Sequence, residues 1–359
     1  MAKAYRPVNE ANHYETLARY RDITPGSWDD FMATVRTPQP VTVWRNETRI
    51  GHDAFMAWME EYEGLTARAS DWDPRLYRLA PPPSGTELQA RRYSGTELRA
   101  RREAAGGRVK AGNLLAYGAG LYHVQEETAA MPAVVLTSAL PPAGADGTER
   151  AEPPRVLDLC AAPGNKSAQL AQMVGPMGTI VANDVNERRL RSGVPTWERL
   201  GLTNIAGTVY DGRSFPPLSG VFDAVLVDAP CTGEGTCRRN PGALRPTSDA
   251  FQHRLRQTQA ALLRRGVELC RPGGRIVYCT CTFAPEENEK QIDALLKSAA
   301  GDAVTPEAVR IPGVTGVPGV ACWKGENLDT GVQNTLRIWP HQNDTGGFFI
   351  AALRKAGSA

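Results

Sequence analysis

The chain has 359 residues, of which 42% are hydrophobic and 22% charged, with a net charge of +2. That length suggests two domains with a real apolar core, and so small a charge neither demands nor excludes a nucleic-acid partner. No apolar run approaches the roughly 18–20 residues of a membrane span. The seven cysteines all fall between Cys160 and Cys322 with no CxxC pair, and the histidines are scattered. This argues against a disulfide framework and a zinc site, and the expectation is a reduced, soluble, intracellular monomer without a metal.

The first ~110 residues show no clear alternation of strands and helices. Trp28 to Val35 reads as a helix with Phe31, Met32 and Val35 on one face, Val41 to Trp44 as a short strand, and Phe55 to Tyr62 as a second helix. After Pro81-Pro-Pro83 comes a tandem repeat, residues 84–93 followed by the nearly identical 94–103. A ten-residue period is too short for a solenoid, so it reads as a duplication in a surface loop or short helix. Ser84 to Lys110 carries seven basic and three acidic residues, either a solvated face or an RNA-facing arm. Residues 137–154, rich in Pro, Ala and Gly, read as a loop.

Beyond it the pattern changes. Strands are expected at Arg155–Cys160, Thr179–Asp184, Ile205–Asp211, Phe222–Asp228 and Gly274–Cys279. Helices are expected after the first strand, from Glu187 to about Leu200, from Phe251 to Cys270 with Pro272-Gly-Gly274 as its stop, and from Glu286 to Lys297 behind Pro285. Two closing strands, Leu336–Pro340 and Phe348–Leu353, look like a hairpin around Asp344-Thr-Gly-Gly347. Such alternation predicts an α/β fold, a mostly parallel Rossmann-like sheet with its last strand antiparallel. That is the variant used by class I methyltransferases, here preceded by a smaller α+β domain. The division expected is a first domain over 1–112 and a second over 113–356.

In an open α/β sheet ligands bind beyond the carboxyl ends of the strands, and reactive residues collect there. They are Cys160 to Ser167, Asp184, Asp211, Asp228 to Cys231, and Thr280-Cys281. The first turn has only Gly164 where a dinucleotide fold wants GxGxxG, and Gly164-Asn-Lys-Ser167 is just the tail of a P-loop. This speaks against a nicotinamide oxidoreductase and fits a ligand without phosphates, such as S-adenosylmethionine. Asp184 is placed to accept ribose hydroxyls and Asp211 to reach the adenine edge. Cys231 and Cys281 follow strands expected to be neighbours, so both can face one pocket, whereas Cys160, Cys270 and Cys279 read as core and Cys237 and Cys322 as loop residues. A thiol pair beside a methyl donor suits methylation of carbon 5 of cytosine, since a thiolate adding to carbon 6 makes carbon 5 nucleophilic. Asp228 is placed to bond the base at N3 and N4, and Lys166 to bring positive charge. Between Gly235 and Arg265, Arg238, Arg239, Arg245, Arg254, Arg256, Arg264 and Arg265 face one acid, Asp249. This is a basic shelf for a phosphate backbone or an exposed basic helix.

The chain resembles the Nop/Sun (RsmB-like) family of RNA cytosine-5 methyltransferases. The strings that carry the likeness are Asp158-Leu-Cys-Ala-Ala-Pro-Gly-Asn-Lys-Ser167, Asp228-Ala-Pro-Cys-Thr-Gly-Glu-Gly-Thr236 and Tyr278-Cys-Thr-Cys-Thr282, with Gln125-Glu126 ahead of the sheet. The resemblance implies Cys281 as nucleophile and Cys231 as the thiol that helps release the product. It also implies cofactor contacts from Cys160, Ala161, Ala162, Pro163, Gly164, Asn165, Lys166, Asp184, Arg189, Asp211 and Asp228. Residues 9–45 and 336–351 look most like the eukaryotic branch acting on tRNA, which makes tRNA the expected substrate. Ribosomal or other RNA, or a non-catalytic RNA-binding role, are the alternatives. Unlike many members of that branch the chain ends at Ala359 without a long extension, the tandem repeat is not a family feature, and Cys279 stands where the family usually has Ser.

Overall fold

The computed structural model describes residues 13–81, 109–140, 152–217 and 220–357, so the tandem repeat and most of the loop expected at 137–154 lie outside the described residues. The small sheet is built from β1 (Val41–Arg45), β2 (Thr66–Ala69), β3 (Leu76–Ala80) and β4 (Tyr122–Val124), all antiparallel in the order β2-β3-β1-β4. Against it packs the helix His52–Glu61, whose Phe55 and Met59 close a core with Val43, Leu65, Tyr77 and Tyr122. The sheet therefore takes strands from both sides of residue 112. The helix Trp28–Val35 forms as its pattern predicts, with Ser27 accepting the Asp30 amide as its cap. It packs elsewhere: with the 3-10 helix Tyr14–Ile23 it buries Leu17, Tyr20, Phe31 and Val35 against Phe283, Trp323 and Trp339.

The large sheet contains β5 (Arg155–Asp158), β6 (Thr179–Asn183), β7 (Ile205–Thr208), β8 (Phe222–Asp228) and β9 (Cys270–Thr280), all parallel in the order β9-β8-β5-β6-β7. β10 (Val304–Glu307), β11 (Val317–Pro318), β14 (Leu336–Ile338) and β15 (Phe348–Lys355) complete it. A two-stranded ribbon, β12 (Cys322–Trp323) with β13 (Glu326–Asn327), stands apart. β15 runs antiparallel to both β9 and β14, so the closing hairpin forms as expected. Alternation along the strands divides the core. Val156, Ala224 and Leu226 face the helices Glu127–Thr137 and Asn165–Val174, while Leu157, Val225 and Val227 face the long helix Asp249–Leu269. Strand order reverses between β5 and β8, and in open sheets that switch point is where a crevice opens.

Several local expectations change. The helix expected from Glu187 to Leu200 is two, Glu187–Arg191 and Val194–Leu200, because Gly193 passes so close to the Pro163 carbonyl that a Cβ would sit 1.9 Å from its oxygen. Pro272-Gly-Gly274 does not cap the long helix, which ends at Leu269, but lies inside β9. The helix expected from Glu286 begins at Glu289, since 285–288 form a turn that points Glu287 inward, where it is 4% exposed. The helix Glu127–Thr137 escaped notice because it is buried almost all round, leaving no polar stripe to reveal a helical period.

Candidate active site

The loop after β5 is held by its backbone. Gly164 caps the helix Asn165–Val174 with φ of +101°, and a Cβ there would meet the Trp197 ring at 2.7 Å. Trp197 Nε1 donates to the Gly164 carbonyl at 3.0 Å, and Ala161 N to the Asn183 carbonyl at 2.7 Å. Two of the expected cofactor residues grip the same residue from either side: Asp184 accepts from Ala162 N at 3.1 Å, and Arg189 donates to the Ala162 carbonyl at 3.0 Å. Asp184 also accepts from Asn186 N at 2.8 Å. Asn165 donates to the Val124 carbonyl at 3.4 Å, tying the loop to β4. Asp211, at the far edge, is engaged by Arg213, which donates from Nε at 2.9 Å and holds the carboxyl below its usual range. Beside these acids Val185 and Tyr210 leave apolar surface in water, 67% and 49% exposed.

Asp158, at the end of β5, is buried, with one oxygen accepting from Ser167 Oγ at 2.7 Å and the other unpartnered among the described residues. Burial pushes its carboxyl up to about 7, against the Ser167 hydrogen bond. Lys166 Nζ lies 2.8 Å from Asp228 Oδ2 and 5.6 Å from the centre of the Phe348 ring. Burial pushes Lys166 down, but Asp228 more than offsets this and holds the ammonium charged. Cys279 is not simply packed among apolar groups, as expected, because its thiol donates to Asp228 Oδ1 at 3.4 Å.

The two cysteines meet. Asp228 pairs with Cys279 in register, Ala229 N donates to the Cys279 carbonyl and Gly235 N to the Cys281 carbonyl, so the chains leaving β8 and β9 stay side by side. Cys231 Sγ and Cys281 Sγ stand 3.4 Å apart. Their surroundings differ. The hydrogen bond from Cys231, and then the cations of Lys166 and Arg239, bring the Cys281 thiol down despite its burial. The same bond, burial and the Glu287 carboxylate push Cys231 up. Of the two, Cys281 is the sulfur whose surroundings favour the thiolate, and Cys231 the one whose surroundings favour the thiol.

Cys281 opens into a cavity of about 120 Å³, lined also by Gln39, Glu126, Lys166, Asp228, Arg239 and Phe348. Ordinary ligand pockets start near ~300 Å³, so this one suits a single ring better than a whole nucleotide. Glu126 closes one wall, accepting from Gln39 Nε2, Gly346 N and Thr128 Oγ1. Of these residues the sequence singled out Glu126 only through the family likeness. Gln39 and Phe348 arrive from distant segments and carry no local signal.

The basic shelf is partly dismantled. Arg238 has a side chain only 1% exposed and donates to the carbonyls of Thr37, Pro38 and Thr345 and to Asp344. Arg265 turns back onto the Phe215 carbonyl and Glu268. Arg239, Arg245, Arg254 and Arg264 are exposed. Cys237, expected in a loop, is fully buried in the core beneath the 3-10 helix, while Cys322 is exposed. No group of three or more candidate metal ligands occurs among the described residues.

A doubly wound sheet with an antiparallel strand beside β9 and its site at the switch point define the fold of the class I S-adenosylmethionine-dependent methyltransferases. A methyltransferase homolog from Pyrococcus horikoshii shares it, with a TM-score of 0.71 and 25% identity, covering 98% of this chain and 100% of that one. So does NSun6 from the same organism, at 0.70 and 22%, with 99% of each chain covered. The chain belongs to the family described as 16S rRNA methyltransferase RsmB/F, whose model matches residues 148–354. Ribosomal RNA small subunit methyltransferase F of Serratia proteamaculans is 32% identical over 94% of this chain and 62% of its own length. The enzyme of the same name from Erwinia tasmaniensis is 37% identical over 67% of this chain and 46% of its own. A human 28S rRNA (cytosine(4447)-C(5))-methyltransferase is 34% identical over 67% of this chain and 28% of its own. The chain thus spans less than two thirds of the length of each of these three relatives.

Proposed function

We propose that this chain methylates carbon 5 of cytosine in RNA through a covalent bond between Cys281 and carbon 6 of the base. The observation that carries this reading is the thiol pair, with a sulfur favoured as thiolate opening into a ring-sized cavity and a protonated one 3.4 Å away. Addition of Cys281 to carbon 6 puts charge into the ring, which the Lys166 ammonium would offset, while the Asp228 carboxylate would accept from the N4 amino group. Carbon 5 then takes the methyl group and loses its proton to a base, the ring regains its double bond, and Cys281 leaves. Cys231, holding its proton beside the departing sulfur, assists that release. So small a cavity requires the base to be swung out of its stack.

S-adenosylmethionine supplies the methyl group on a positively charged sulfur. The residues present fit it: Asp158 and Asp228 offer carboxylates at the switch point, Asp184 a ribose acceptor, and the bare apolar sides of Val185 and Tyr210 a seat for a flat ring. The loop Cys160, Ala161, Ala162, Pro163, Gly164, Asn165 and Lys166 would line the site. Arg189 would act by bracing Ala162 and Asp211 from the outer edge. RNA recognition we assign to the small sheet and to residues 1–112.

The names of the relatives support ribosomal RNA as substrate. Transfer RNA, expected from the likeness of residues 9–45 and 336–351, rests on that likeness alone. Bisulfite sequencing of RNA from cells with and without the gene decides between them. RNA carrying 5-fluorocytosine should trap the wild-type chain covalently and fail to trap Cys281→Ala, while Cys231→Ala should accumulate an adduct on ordinary RNA. A Cys281→Ala variant that still methylates would overturn the assignment, and a wild type that binds RNA without trapping would favour the non-catalytic reading.

A further inference from the structure

Directly behind the two thiols runs a chain of polar side chains that the reaction above does not use. Thr232 follows Cys231, Thr282 follows Cys281, and their hydroxyl oxygens stand 2.8 Å apart. Thr232 Oγ1 lies 2.7 Å from Glu287 Oε1, and Thr282 Oγ1 lies 3.0 Å from Glu234 Oε2. At one end Glu287 Oε2 also accepts the Thr232 amide at 3.0 Å and the Gln259 side-chain amide at 2.9 Å. At the other, Glu234 accepts the Tyr20 hydroxyl at 2.5 Å.

The hydrogens do not add up if both carboxylates are ionised. Three oxygen–oxygen contacts join Glu287, Thr232, Thr282 and Glu234, and each needs one hydrogen. The two hydroxyls supply two. The remaining contact would set lone pair against lone pair in a buried site, where an unmade bond is costly. A third hydrogen must therefore sit on a carboxyl. Glu287 already accepts two amide N–H groups on its other oxygen and Glu234 has none, so the extra hydrogen is left to the Glu234 end.

We propose that Glu234 and Glu287 hold one proton between them, resting on Glu234, and that the chain Glu234–Thr282–Thr232–Glu287 is a positioning clamp that sets the two sulfurs side by side. It deepens, and rests on, the reading of Cys231 and Cys281 as the reacting pair. The hydroxyls belong to the residues next to each cysteine, so the clamp fixes the separation of the loops where it matters. The ionised Glu287 at the Cys231 end also helps keep that thiol protonated, leaving the charge on Cys281. Burial pushes Glu234 up, with Tyr20, Arg19, Cys237 and Glu287 the titratable groups around it. As pH rises Glu234 gives up the shared proton, one contact loses its hydrogen, and the clamp loosens on the alkaline side only.

The test is the rate at which diamide, without RNA or methyl donor, joins Cys231 to Cys281. Diamide takes the two thiol hydrogens and is reduced to the hydrazine as the S–S bond forms, and mass spectrometry of the digested full chain reads the product. Glu287→Ala removes the acceptor at that end of the chain, and should slow the reaction about tenfold, the weight of one buried hydrogen bond. Glu234→Ala should slow it similarly. Glu234→Gln should restore it, because the single oxygen that faces both Thr282 and Tyr20 becomes an NH2 group with a hydrogen for each hydroxyl. The ratio of Glu234→Gln to wild type should then climb above one as pH rises. Thr282→Val should be slow and Thr282→Ser restored, a comparison that decides the matter even if Glu287→Ala fails to fold. The clamp is overturned if Glu234→Gln is as slow as Glu234→Ala, if a folded Glu287→Ala reacts like wild type, if Thr282→Val does so, or if the ratio stays flat with pH. A wild type that oxidises as expected yet never modifies RNA would instead sink the functional reading and leave the clamp standing.

Discussion

The two thiols are chemically alike in sequence and unlike in place. Lys166 and Arg239 stand toward Cys281, and Glu287 toward Cys231, so charge is favoured on the first sulfur and a proton on the second. Replacing Lys166 by Met would remove a nearby cation and leave Asp228 without its 2.8 Å partner. Both changes disfavour a thiolate. The acid limb of the rate against pH should therefore move to higher pH, by about one unit for each 1.4 kcal/mol of lost stabilisation. Single-turnover methyl transfer between pH 5 and 9 checks this, and an unmoved limb would remove Lys166 from the activation of Cys281.

At the scale of elements, the cofactor loop is shaped by close backbone contacts rather than by a glycine-rich string. Gly193 breaks what would be one helix and lets Pro163 approach, and Trp197 from the second half closes over Gly164. A methyl group at Gly193 would collide with the Pro163 carbonyl oxygen, which is backbone and has no rotamer to yield. Gly193→Ala should therefore weaken binding of S-adenosylhomocysteine by about tenfold or more while secondary structure persists. Calorimetric titration with matched circular dichroism tests it, and wild-type affinity would show that the loop adjusts freely.

Across the whole molecule, the amino-terminal segment is part of the site. Tyr20 reaches Glu234, Gln39 lines the cavity, and the Phe31 cluster packs on Trp339 beside the closing hairpin. Charge is organised at the same scale. Arg239, Arg245, Arg254 and Arg264 are free to meet phosphates, whereas Arg238 ties the Thr37 turn to Thr345 and Asp344. Each exposed arginine that meets a phosphate should lower the slope of log affinity against log salt by about 0.7–0.9 when changed to Gln. Arg238→Gln should instead cost about 3 kcal/mol or more of stability, since it strips hydrogen bonds from buried carbonyls. Filter binding over a salt series and urea unfolding separate the two classes. An unchanged slope in the four-arginine variant would place the RNA on another face.

The sequence by itself determined the alternation of β5 to β9 with their helices, and hence the sheet, its switch point and the residues at its strand ends. These are local properties, written in periods of two and 3.6 and in the residues that end a strand. The motif strings around Cys160, Cys231 and Cys281 were equally legible, because neighbouring strands bring the residues at their carboxyl ends together. The inward turn of Glu287 and Arg238, the helix Glu127–Thr137 with no polar face, and the docking of Tyr20 were decided by tertiary structure. Each depends on partners dozens to hundreds of residues away, and a residue's own neighbours in sequence do not say which carboxylates water will be excluded from.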